Sequence, residues 1–285
     1  MVWGFRMVAR VSVRWPGYGQ IMAAIRAVLA DIDGVLAVSW RPIPGAARAL
    51  SAVRASGYAI ALLTNTTSRT RAEIAGLLAG AGFPVTDSDI HTAAALTADY
   101  LTRHHPGARC AVLNDGDLST EFPGVRLVGL DADPPPEVVV LGGAGPQFGY
   151  PALNRVFSLV RGGARLITMN ANLYWQTDEG LQLDTGAFLP GLERAAGVTA
   201  EVTGKPAGAF FQAALDAVGA APGEAIMVGD DLHSDVLAAQ RIGVTGVLVR
   251  TGKYRPGTEH SGAATPDHVI DSIADLPALL ARLRG

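Results

Sequence analysis

From Ile25 onward, short β-rich apolar runs alternate with alanine- and leucine-rich segments of helical period, and that alternation leaves few folds open. Strand, helix, strand in repeating order builds parallel pairs through crossovers, so the chain is expected to be α/β, a mostly parallel sheet covered by helices. Strands are expected at Ala27–Ala30, Ala59–Leu63, Cys110–Leu113, Val138–Leu141, Leu166–Met169, Ala225–Val228 and Val244–Val249. Several are apolar without alternation, as strands buried on both faces are. Helices are expected at Ala46–Ser56, Arg71–Ala81, Thr92–His104, Ala152–Arg161, Ala209–Val218, Asp235–Ile242 and Ile273–Leu283. Thr70 and Glu73 have the capping-box spacing, and Gly57, Gly82, Gly219 and Gly243 stand where a left-handed residue ends a helix.

Composition narrows the class of partner. The 285 residues are 49% apolar and 17% charged with a formal net charge of −3, which suits a well-buried globular protein and gives nucleic acid or an anionic membrane nothing to attract. Lone Cys110 has no internal disulfide partner, as in a reducing cytoplasm. No run of eighteen apolar residues is present, and the N-terminal stretch lacks the apolar h-region of a secretion signal. Residues 1–21 carry Arg6, Arg10, Arg14, Pro16 and Gly17 without helical or strand period, and are expected to be a mobile extension or a misassigned start before Met22.

Four short stretches at strand ends carry chemistry. In Asp31-Ile32-Asp33-Gly34-Val35, strand alternation turns both carboxylates to one side, while Gly34 permits a sharp turn. Two carboxylates sharing a small space call for a cation, and Mg²⁺ takes oxygen ligands. Alone, D-x-D fits a surface turn or a glycosyltransferase-like metal site equally well. Thr64-Asn65-Thr66-Thr67-Ser68 leads into a helix start, where hydroxyl and N–H groups bind anions. Thr66 to Ser68 read singly as caps, whereas Thr64 and Asn65 sit at the strand end, where open α/β sheets bind ligands. Gly204-Lys205-Pro206 places an ammonium near a helix start, against the helix dipole, where it can neutralise a carboxylate and a phosphate oxygen together. Gly229-Asp230-Asp231 with Ser234-Asp235 sets three carboxylates within six positions, which suits a metal site better than three separate caps.

In this order DIDGV, TN, GKP and GDDxxxD resemble the motifs of the haloacid dehalogenase (HAD) superfamily of aspartate-nucleophile phosphatases. The long segment between TN and GKP resembles the large α/β cap of the branch containing 4-nitrophenylphosphatase and pyridoxal phosphate phosphatase. The likeness covers nearly everything after Met22 and is closest around Glu201 to Phe211, Ala225 to Asp235 and Arg250 to Arg255. It implies a Rossmann-like core of residues 22–87 and 188–285 with a cap inserted at 88–187. It implies Asp31 as nucleophile and metal ligand, Asp33 as general acid and base whose backbone carbonyl also binds metal, and Asp230 as a further ligand of Mg²⁺. Thr64 and Lys205 would hold the phosphoryl group, Asn65 helping through its backbone or its amide, with Asp235 orienting Lys205 or metal-bound water and Asp231 in support. Thr66-Thr67 departs from the Asn-Ser that relatives often have there. Asn172, Tyr174 and Trp175 align with the branch's substrate-facing loop, the alternative being an aromatic pair packed in the cap core.

The implied activity is hydrolysis of a small phosphorylated metabolite, whether a phosphate ester, pyrophosphate or P–N bond, through an aspartyl-phosphate. Caps in this branch often pair, so a homodimer is an implied partner state. A phosphotransferase or mutase would use the same intermediate, and a non-catalytic binding protein would keep only the fold. Retention of Asp31, Asp33, Lys205 and Asp230 argues against the last. Gly142-Gly143-Ala144-Gly145 fails the dinucleotide spacing at Phe148 and is expected to be a cap loop. Asn114-Asp115-Gly116-Asp117 reads first as a turn, and the histidines lack zinc-ligand spacing.

Overall fold

The computed structural model describes residues 24–177, 180–260 and 264–284; the expected extension at 1–21 lies outside them. Six parallel strands form one sheet in the order His268–Ile270, Thr245–Val249, Ala225–Gly229, Ala27–Asp31, Ala59–Thr64, Ile90–Thr92. Numbered along the chain and read from the other edge, that is 3-2-1-4-5-6, the Rossmann order, whose winding reverses between Ala27–Asp31 and Ala225–Gly229. The register Ala27↔Ala225 to Ala30↔Val228 sends Asp31 and Asp230 off the sheet side by side. Val28 and Ala30 pack into one apolar cluster and Ala27 and Leu29 into another, so the central strand is covered on both faces.

A second parallel sheet runs Glu201–Val202, Arg165–Thr168, Val138–Leu141, Arg109–Leu113, Arg126–Leu127. Its own order is 2-1-3-4-5, the other doubly wound arrangement. Sheet membership divides the chain elsewhere than at the expected residues 88 and 187. Ile90–Thr92 belongs to the first sheet and Glu201–Val202 to the second, so the crossings come after Thr92 and Val202. Strands this short leave no readable period, and the sequence shows only the turns beside them.

The helices Ala93–His104 and Gly208–Val218 join the two lobes. One apolar cluster contains Leu29 and Leu63 of the first sheet, Val140 and Ile167 of the second, and Leu101, Phe210 and Phe211 of these helices. Phe210 and Phe211 are both 0% exposed, a burial that contributes about 1.5–3 kcal/mol for each. A further helix, Leu189–Ala196, which the sequence pattern does not signal, packs on Tyr150–Arg161 through the second lobe's own core.

Local signals are realised where they are strongest. Thr70 and Glu73 form a reciprocal capping box, and Gly57, Gly82, Gly219 and Gly243 have φ of +82°, +87°, +64° and +94°. The expected helix Asp235–Ile242 is instead a wide π turn, Leu232–Val236, followed by one α turn, Leu237–Gln240. Two hairpins add to the sheets: Ala37–Val38 with Arg41–Pro42, and Tyr174–Thr177 with Gly180–Leu183. Among the described residues no helix is long and apolar enough to cross a membrane.

Candidate active site

The first sheet's winding reverses where ligands bind in open α/β folds, beyond the carboxyl ends of the strands. Asp31 ends one central strand and Asp230 comes directly after the other. The π turn brings in a third group: Asp231 O accepts from both Asp235 N, at 3.1 Å, and Val236 N, at 3.3 Å, which widens the turn and folds the Asp235 side chain back over the strand end. Gly229 leaves the room, since a Cβ there would collide with that side chain. Oxygens of Asp31, Asp230 and Asp235 lie within 4.8 Å of one another, all three residues buried.

Lys205 enters this cluster from the other direction. Its Nζ lies 2.5 Å from Asp31 Oδ1 and 2.7 Å from Asp235 Oδ1. Its backbone is held by one side-chain amide, because Asn65 Nδ2 donates to Lys205 O and Asn65 Oδ1 accepts from Lys205 N, both at 3.0 Å. Asn65 thus has its side chain committed to the lysine, leaving only its backbone for the phosphoryl contact expected of it. A Cβ on Gly204 would run into Met169 O and Asn65, so only glycine lets the chain pass from Val202 to Lys205 here.

Asp33 is exposed, apart from the buried trio. Its Oδ2 accepts from Thr66 Oγ1 at 3.0 Å and Thr64 Oγ1 at 3.5 Å, and Thr66 N donates to Thr64 Oγ1 at 2.9 Å. The hydroxyl of Thr66 is therefore bonded to Asp33. Asp231 lies outside the trio. It caps the π turn, its Oδ1 accepting from His233 N at 3.0 Å and Ser234 N at 2.9 Å. Asn172, Tyr174 and Trp175 make no hydrogen bond or ion pair to the cluster among the described residues. Tyr174 is 56% and Trp175 39% exposed on the second hairpin, so the alternative of an aromatic pair packed in the cap core does not hold.

The charges do not balance. Burial raises the Asp31 carboxyl above its usual value, Lys205 partly offsets this, and Asp33 raises it again. Asp230 is pushed well above the usual carboxylate range by burial and then by Asp31 and Asp235. Burial, against the pull of Lys205, takes Asp235 to about 6. Burial disfavours the Lys205 ammonium, but Asp235 and Asp31 more than compensate and hold it charged. Asp230 Oδ1 is buried without a hydrogen-bond partner. Three clustered carboxylates with one ammonium and a buried oxygen that has no hydrogen-bond partner fit a hard divalent cation taking oxygen ligands. Asp31 and Asp230 would hold it through carboxylates, and Asp33 through its backbone carbonyl.

The sequence motifs give no role to Thr251-Gly252-Lys253, where Lys253 N donates to Asp230 Oδ2 at 2.7 Å and Lys253 Nζ lies 3.6 Å from Asp231 Oδ2. A signal was available: the chain has 21 arginines and two lysines, and both lysines are at this cluster. Asn114 also does more than turn the chain. Its Nδ2 donates to Thr67 O at 2.9 Å, and its Oδ1 accepts from Gly143 N at 2.8 Å.

Comparison with known proteins agrees with this geometry. The haloacid dehalogenase-like hydrolase family matches residues 28–127, and the HAD-hydrolase-like family residues 202–276. Phospholysine phosphohistidine inorganic pyrophosphate phosphatase of Rattus norvegicus is 33% identical over 269 residues, spanning 92% of this chain and 97% of that protein. NagD from E. coli K-12 superimposes with a TM-score of 0.79 at 30% identity, covering 88% of this chain and 98% of its own. A glycerol phosphate phosphatase from Mycobacterium tuberculosis, solved in complex with magnesium, gives a TM-score of 0.79 at 28% identity, covering 90% of this chain and 78% of its own. The chain belongs to the haloacid dehalogenase-like hydrolases and is a phosphatase of that family.

Proposed function

We propose that the protein is a Mg²⁺-dependent phosphatase of small phosphorylated molecules that transfers the phosphoryl group first to Asp31 and then to water. The observation that carries this reading is Lys205, clamped between Asp31 and Asp235 across from the unpartnered Asp230 Oδ1. The magnesium in the mycobacterial neighbour supports the choice of ion. Bound there, the ion supplies positive charge against the repulsion between an anionic nucleophile and an anionic phosphate.

The rest falls to the chain's own side chains. An Asp31 oxygen attacks phosphorus in line, and the bond from phosphorus to the leaving atom, oxygen in an ester or pyrophosphate and nitrogen in a P–N phosphate, breaks as Asp33 gives that atom a proton. Asp33 then takes a proton from water, whose oxygen attacks the same phosphorus and frees Asp31 as phosphate departs. Thr64 and Lys205 hold the phosphoryl oxygens, Asp235 keeps Lys205 on Asp31, and Thr66 fixes the orientation of Asp33. We take residues 93–202, between the two sheet crossings, as the cap. Substrate choice is assigned to its hairpin, where Tyr174 and Trp175 are free to meet a leaving group, with Asn172 at the hairpin's foot. The relatives' names support phosphate esters, pyrophosphate and P–N phosphates as the class to test. The single unpaired Cys110 supports a reducing, cytoplasmic setting.

The test is release of inorganic phosphate by the purified chain from a panel of those three classes. Release with Mg²⁺ that stops on adding EDTA and returns with excess Mg²⁺ is the expected result. Silence across the panel, or release indifferent to EDTA, would sink the reading.

A further inference from the structure

Outside the four motifs, one stretch reaches the acidic cluster. Thr251-Gly252-Lys253 comes just after the strand Thr245–Val249, next in the sheet to Ala225–Gly229. Three contacts bind it to Asp230 and to the turn after Asp33. Lys253 N donates to Asp230 Oδ2 at 2.7 Å. Gly252 and Gly34, at φ of +59° and +84°, pack against each other and against that same oxygen, so a Cβ on either would overlap Asp230 Oδ2. Thr251 Oγ1 donates to Gly34 O. The other oxygen of the carboxylate, Oδ1, has no partner.

A carboxylate free to rotate would spread its two oxygens over many orientations, and an ion binding it would have to fix one of them. Here one oxygen is already committed to an amide and walled in by two glycine Cα atoms. Oδ1 alone is left for a ligand. We propose that Thr251-Gly252-Lys253 is a positioning element for Asp230, setting which oxygen meets the divalent ion. Through the Thr251 hydroxyl it keeps the Asp31–Gly34 turn in register with Asp230, so that two ligands from distant parts of the chain share one fixed spacing. This rests on the Mg²⁺ reading above. Groups that orient a metal ligand typically cost about ten- to hundredfold in metal affinity when removed.

The experiment is calorimetric titration of Mg²⁺ into the full chain and its variants, with circular dichroism and metal-free melting as controls on the fold. Thr251→Val and Gly252→Ala should weaken Mg²⁺ binding by about ten- to hundredfold, while Thr251→Ser, which keeps the hydroxyl, should bind as the parent does. Should Gly252→Ala fail to fold, the valine and serine pair decides alone. Parent and Thr251→Val binding Mg²⁺ equally would overturn the positioning role and leave the metal site standing. No Mg²⁺ binding by the parent would overturn both.

Discussion

The two lobes are each built on a doubly wound parallel sheet, and each sheet has a crevice where its winding reverses. In the first the crevice lies between Asp31 and Asp230 and is crowded with carboxylates around one lysine. In the second it lies between Leu113 and Leu141, strands that run on into Asn114 and Gly142-Gly143. None of these three residues is charged, and the space between them is already filled. Thr67, from the loop that follows Thr64 and also carries Asn65 and Thr66, is buried, with its carbonyl on Asn114 and its hydroxyl where a Gly143 Cβ would go. Topology provides a crevice in both lobes, and the residue types at the strand ends decide whether it does chemistry or serves as a socket.

Breaking the first crevice should silence the enzyme without unfolding it. Asp31→Asn is expected to lower kcat by more than about a thousandfold with an unchanged circular dichroism spectrum, since the lost group is the proposed nucleophile. Retained metal-dependent turnover would contradict that role. A milder change sharpens the picture: Thr66→Val removes the hydroxyl from Asp33 and should cost about tenfold in kcat, the worth of one hydrogen bond to a charged group, whereas Thr66→Ser should keep it. Equal activity of valine and serine variants would show that Asp33 needs no such anchor. Breaking the second crevice should act the other way round. Gly143→Ala puts a methyl group onto Thr67 and is expected to destabilise the fold by about 1–3 kcal/mol, read as a lower melting temperature, with kcat reduced only a few-fold. A thousandfold loss of kcat with normal stability would erase the distinction between the two crevices.

Much of this was legible in the sequence because strong local rules operated. The central strands are uninterrupted apolar runs ending in acidic or glycine residues, so their existence and burial can be read from the chain alone; their order cannot, and the alternation expected to set Asp33 beside Asp31 fails because the strand ends at Asp31 and leaves Asp33 exposed in the turn. Lys205 was legible by its position against a helix dipole. The edge strands Ile90–Thr92 and Glu201–Val202 were not, because two or three residues carry no period, and with them went the lobe boundaries. The committed side chain of Asn65 was illegible for another reason: its partner is 140 positions away. Residue type alone does not separate Asp231 from Asp235; the family resemblance pairs Asp235 with Lys205, and the π turn shows how, sending Asp231 to cap backbone amides and Asp235 to the ammonium. Thr251-Gly252-Lys253 meets the cluster through a backbone amide, a glycine without a side chain and one hydroxyl whose partner, Gly34 O, is 217 positions away, none of which residue type alone records.

The edge strand of the second sheet ends at Val202, and Lys205 is the third residue after it. Gly204 between them is wedged under Met169 O at the end of the neighbouring strand, so the link has no slack. The ammonium held against Asp31 is thereby tethered to the edge of the second sheet, so any shift of that sheet against the first would be felt at the Lys205–Asp31 pair.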